Sequence, residues 1–87
     1  MKLKLEFVKR VIAGETFLVP IGEGAKKHSG LFALNEVGSF IWDKLPEAQT
    51  ESEIVDAILG EYEVSRDEAA ADTAEFLDKL RKMEIID

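Results

Sequence analysis

The stretch LFALNEVGSFIW, Leu31–Trp42, changes its hydrophobic period within one residue. Up to Leu34, four apolar residues run together as in a short strand. Beyond Asn35, the residues Val37, Phe40, Ile41 and Leu45 recur at helical spacing. Asn is a favoured helix N-cap, because its side-chain oxygen satisfies a free N–H of the first turn. A strand that passes directly into a capped helix sets the direction of both. The remainder of an 87-residue chain has to be arranged around that joint. Nothing in Leu31–Leu34 protects a strand edge, neither Pro nor charge, so the segment is either core or an edge left open.

Upstream, Leu3, Leu5 and Phe7 alternate with Lys2, Lys4 and Glu6, the pattern of a half-buried strand. The phase is lost at Val8, which predicts a bulge or a break between two short strands. Ala13-Gly14-Glu15 is a turn signal, and Thr16–Ile21 reads as a second strand with Phe17, Val19 and Ile21 on one face. Pro20 cannot donate to a ladder, so it belongs at a strand end or faces outward. GEGAKKHSG, Gly22–Gly30, reads as a polar loop, with His28 expected to be exposed.

Downstream, three helices are predicted. The first runs from the Asn35 cap to about Leu45 and is stopped by Pro46. Thr50-Glu51-Ser52-Glu53 has capping-box spacing and opens a second, with Ile54, Val55, Ile58, Leu59 and Tyr62. Ser65-Arg66-Asp67-Glu68 repeats that spacing and opens a third, with Ala69, Thr73, Phe76, Leu77, Leu80 and Met83 on one side. Ile85 and Ile86 are expected to pack back onto the domain. The order predicts one α+β domain over residues 1–87. It comprises a three-stranded antiparallel sheet followed by three helices, a winged-helix plan in permuted order.

Several chemistries are excluded by residue type and placement. There is no Cys, hence no disulfide framework, no thiolate zinc site and no means of holding an iron–sulfur cluster. That usage, with no signal-peptide run or membrane span, points to the cytoplasm. His28 is the only histidine, and no nucleophile–base–orienter set can be assembled around it. The chain is therefore expected to be no enzyme and to carry no cofactor. GEGAKK lacks the Walker spacing and leads into a strand, so it is no phosphate loop. Ser39 has neither the preceding Asp nor the helix-start position of a carrier-protein serine.

The landmarks together resemble a known family. They are Leu34-Asn35, Ile41-Trp42 and Leu45; Thr50, Glu53-Ile54, Ile58, Tyr62 and Val64; and Phe76-Leu77, Leu80 and Ile85-Ile86. The pattern is similar to the PqqD family, named for pyrroloquinoline quinone biosynthesis protein D, over about residues 15–87. Pro46–Gln49 departs from it, where many relatives have a Gly-containing turn. The resemblance implies a peptide-recognition element that binds the leader of a ribosomally made precursor and delivers it to a modifying enzyme, often a radical SAM enzyme. It implies that the leader adds as a strand to the third strand, in a groove shared with the third helix. The candidate contacts are then Leu31, Phe32, Ala33 and Leu34 on the strand. On the helix they are Ala70, Ala71 and Ala74, whose small side chains admit a close approach, and Leu77. Phe76 and Leu80 are assigned to the core. The same alanines also serve simply as good helix formers.

Two other readings remain at this point. A winged-helix DNA-binding regulator needs a basic recognition helix, whereas the third helix carries Asp67, Glu68, Asp72, Glu75 and Asp78 in a chain of net charge −7. A general interaction module could use the exposed edge to form a homodimer. No membrane partner is expected.

Overall fold

Ala13 and Gly14 both take positive φ, 53° and 82°, as a two-residue type I′ hairpin turn requires. The turn joins β1 (Phe7–Ile12) to β2 (Glu15–Pro20), paired antiparallel from Ile12↔Glu15 to Phe7↔Pro20. β3 (Phe32–Leu34) pairs antiparallel with the other side of β2, from Thr16↔Leu34 to Leu18↔Phe32. The sheet order is β1-β2-β3, which leaves β3 at an edge. The computed structural model describes residues 1–87.

The break expected at Val8 falls earlier, between Leu3 and Phe7, and Val8 is a regular member of β1. Leu3 forms an isolated antiparallel bridge with Ile86, and the Lys4 N–H donates to the Ile85 carbonyl at 2.7 Å. The chain pairs first with its own C-terminal tail and joins the sheet only at Phe7. Pro20 stands at the end of β2, as expected, and the next N–H, of Ile21, donates to Glu6 at 3.0 Å. Phe17 and Val19 do share a face, but it is the half-covered outer one. Leu18, fully buried, points to the core.

The Gly22–Gly30 segment departs from the loop expectation. It contains a short helix, α1 (Glu23–Lys27). Five residues cannot sustain a helix on propensity alone. α1 exists because it lies against the turn before β1. Gly24 is buried there, and a Cβ at that position would collide with the Glu6 carbonyl oxygen. A glycine that reads as a loop former is thus a packing contact.

The three helices after the sheet are α2 (Glu36–Lys44), α3 (Glu51–Glu61) and α4 (Arg66–Lys82). Their caps follow local chemistry. Asn35 Oδ1 accepts from the Gly38 N–H at 2.7 Å, Thr50 Oγ1 from Glu53 at 3.2 Å, and Ser65 Oγ from Glu68 at 3.1 Å. The return bond of the Thr50 box runs from the Gln49 N–H to Glu53 Oε2, one residue before the cap. One core joins all layers, with Leu18, Ile41, Leu45, Ile54, Ile58, Leu77, Leu80 and Ile85 buried to within 1 %. Thr73, buried among them, donates its hydroxyl to the Ala69 carbonyl at 2.7 Å and so leaves no polar atom unpaired. Ile85 and Ile86 pack back as predicted.

α4 ends in a Schellman motif. The Glu84 N–H donates to Arg81 at 3.0 Å, and the Ile85 N–H donates to Leu80 at 2.8 Å. The left-handed position is held by Glu84, at φ 61°, where Gly is the unstrained residue. Glu84→Gly is expected to raise the unfolding free energy by about 0.5–1 kcal/mol, because relief of the left-handed backbone exceeds the added chain entropy. Loss of the exposed Lys27–Glu84 pair, 3.8 Å apart, changes little. Urea denaturation checks this, and a lower midpoint for the variant contradicts it.

Candidate functional site

The hairpin register determines which groups face the free edge. In a two-residue hairpin the flanking pair, here Ile12↔Glu15, exchanges both backbone hydrogen bonds. Along β2 the backbone groups then alternate, and those of Thr16 and Leu18 turn to β3. Their partners, Leu34 and Phe32, are the bonded residues of β3. Ala33, opposite Phe17, points its N–H and C=O away from the sheet. Outside the β2 ladder, no backbone or side-chain group bonds to Leu31–Leu34. The strand that the sequence left ambiguous is therefore an open edge.

Side chains sort with the same period. Phe32 and Leu34 are half-buried against the core, whereas Ala33 is exposed and Leu31 is 53 % exposed. Ala33 and Leu34 line an open cavity with Thr16, Ser39, Phe40 and Tyr62. α4 packs on α3 and α2 but makes no extensive contact with β3. Just beyond β3, at the Asn35 cap, a cavity of about 120 Å³ opens between the first turn of α2 and α4. Asn35, Val37 and Gly38 line one side, Asp72, Phe76 and Lys79 the other. A Cβ on Gly38 would stand 3.4 Å from Phe76 Cε1, so the glycine lets the ring lie on the backbone of α2.

This geometry rearranges the helical wall expected from sequence. Ala69, Thr73, Leu77 and Leu80 form the buried stripe of α4. Leu77, assigned above to the groove, is completely buried, while Phe76, assigned to the core, does pack against it but is only partly buried and also lines this cavity. At helical spacing Asp72, Phe76 and Lys79 share one flank of the stripe. Ala70 and Ala74 lie on the other flank with Arg81, whose Nη1 is 3.3 Å from Glu51 of α3. Ala71 is exposed on the outer face. Phe76, and not the three alanines, therefore stands on the flank of α4 that faces the first turn of α2, next to the Asn35 cap that follows β3. The half-exposure of Phe76 has one sequence signal, its three-residue step from Thr73 off the stripe toward Asp72.

The remaining polar groups have structural partners. Lys9 of β1 donates to both oxygens of Asp43 at 2.7 Å and to Ser39 Oγ at 3.0 Å, which pins α2 to the sheet. His28 is half-buried, with Nε2 2.6 Å from the Met83 carbonyl oxygen, and is not the exposed loop residue expected. Tyr62 packs edge-on to Phe40 with ring centroids 5.4 Å apart. Desolvation, with Glu36 and Glu61 nearby, raises its phenol above the usual 10.0. No three His, Cys, Asp or Glu side chains converge to hold a metal ion. No helix is long and apolar enough to cross a membrane. α4 exposes Asp67, Glu68, Asp72, Glu75 and Asp78, an arrangement that repels a phosphate backbone and does not favour the DNA-binding reading.

The fold and edge define a class: a small α+β module with an unpaired sheet edge and a helical layer packed on one face of the sheet. The chain belongs to the PqqD family, matching Coenzyme PQQ synthesis protein D (PqqD) over residues 15–86. It is similar to TbiB1, solved in complex with the TbiA(beta) leader peptide. The two share 36 % identity over 98 % of this chain and 93 % of that one, with a TM-score of 0.72. It shares its fold with a lasso peptide synthetase B1 complexed with a leader peptide. There identity is 20 % over 97 % of this chain and 93 % of that one, with a TM-score of 0.71. No significant match was found among curated proteins.

Proposed function

We propose that this chain is a non-catalytic module that captures the leader of a ribosomally made precursor peptide and presents it to a modifying enzyme, of the radical SAM class. The leader adds as a strand to β3, and its main chain bonds to the outward N–H and C=O of Ala33. Alternate side chains enter the cleft beside Phe76 or lie on the outer face beside Leu31. The observation that carries this is the open edge itself, an unprotected strand whose outward backbone groups pair with no other strand. Family membership and the leader peptide held by TbiB1 support it. The chain works in the cytoplasm, where the precursor is made. The chemistry belongs to the partner enzyme.

The test is an NMR titration with two synthetic peptides, the leader encoded beside this protein's gene and the TbiA(beta) leader. At least one is expected to bind with micromolar or tighter affinity. Amide shifts should concentrate on Leu31–Asn35 and on α4 around Asp72, Phe76 and Lys79. Shifts confined to α1 or the β1–β2 turn, or no binding of either peptide, contradict the proposal.

A further inference from the structure

His28 stands in the connection between α1 and β3, and its Nε2 lies 2.6 Å from the Met83 carbonyl oxygen. A carbonyl only accepts, so Nε2 carries the proton. Met83 is the C-cap of α4. The Schellman bonds close on Arg81 and Leu80 and leave the Met83 carbonyl with no backbone donor. The imidazole supplies one. Its ring also packs on Phe7, centroids 5.8 Å apart, and the neighbouring Lys27 lies 3.8 Å from Glu84.

From this geometry we infer that His28 is a positioning residue for the docking edge: by bonding Met83 it holds the leading end of β3 at a set distance from α4. The inference rests on the docking reading above. α4 is tied to the chain on either side of β3: after it, where Gly38 of α2 lies near Phe76, and before it, where His28 bonds Met83 beside the exposed Lys27–Glu84 pair. β3 pairs with β2 alone, and Gly30, at φ 85°, adds no stiffness to the loop before it. Without the tie, the start of β3 and the end of α4 can drift apart, and an incoming peptide has to order them again.

Two variants separate the hydrogen bond from the ring packing. His28→Phe keeps an aromatic ring against Phe7 and removes the donor. His28→Gln keeps a donor and removes the ring. Affinity is read by fluorescence anisotropy with whichever labelled leader peptide binds the wild type, and protection of the β2-bonded amides of Phe32 and Leu34 by hydrogen exchange on the free proteins. His28→Phe is expected to bind about three- to tenfold more weakly, with lower protection at both amides. His28→Gln is expected to stay within about twofold of wild type in both. A long-range proton–nitrogen spectrum of the wild type should show His28 protonated at Nε2. The inference is overturned if His28→Phe matches wild type in affinity and protection, or if His28→Gln is as weak as His28→Phe. Should the wild type bind neither peptide, the docking reading fails, while the exchange comparison on the free proteins still decides the tie.

Discussion

Ala33→Pro is expected to abolish strand addition while leaving the domain folded. The register turns the Ala33 N–H to the free edge, so proline there removes no bond of the β2 ladder. Its fixed φ is compatible with an edge strand, and the preceding Phe32 is already extended. The docked peptide, however, loses a donor, and one of its carbonyls is left unpaired in the cleft. The combined loss corresponds to about ten- to hundredfold in affinity, whereas unfolding free energy changes by less than about 1 kcal/mol. Phe32→Pro is the matched control. Its N–H serves the ladder to Leu18, so that variant should lose about 1–3 kcal/mol of stability. Peptide anisotropy and urea denaturation, run on both variants, distinguish the two. Wild-type affinity in a folded Ala33→Pro protein would exclude this edge as the docking strand.

Leu77→Ala should act on stability and spare the cleft. Leu77 is completely buried in the stripe that joins α4 to the rest of the core. Truncating a buried leucine costs about 2–5 kcal/mol, through lost transfer energy and the cavity left behind. A domain of this size is stable by roughly 4–13 kcal/mol, so much of the folded margin disappears. Phe76→Ala, one residue away, should act on both. Its ring packs partly on the core and also lines the cavity, so peptide affinity falls along with stability. Denaturation midpoints and peptide affinities on the two variants form a two-by-two comparison. If Leu77→Ala weakened binding at unchanged stability, Leu77 would return to the groove.

Adjacent residues differ this much because a helix turns about 100° per residue. The period in the sequence identified a stripe on α4 from Ala69 to Leu80, but it could not say which flank of that stripe would meet the sheet. The answer depends on where α3 lies. Arg81 reaches Glu51 on one side, which leaves Asp72, Phe76 and Lys79 on the other, toward the cleft. Ala70 and Ala74, exposed, lie on the flank that carries Arg81. α1 was hidden for a related reason. A five-residue helix owes its existence to the Glu6 backbone beneath Gly24, a contact eighteen residues upstream that no local window contains.

What the sequence determined by itself is what short-range chemistry controls. Asn35, Thr50 and Ser65 start their helices because each side chain reaches an N–H three residues on. Ala13-Gly14 turns the first hairpin, and apolar periodicity separates strands from helices on either side of Asn35. It took the folded chain to show that β3 is an edge, that Leu77 is buried while Phe76 lines a cavity beside α2, and that His28 meets the Met83 carbonyl. Those facts concern surfaces from distant parts of the chain. Whether a strand gains a second neighbour, or which side of a helix remains free, follows from the packing of the whole core and from no residue's own preference.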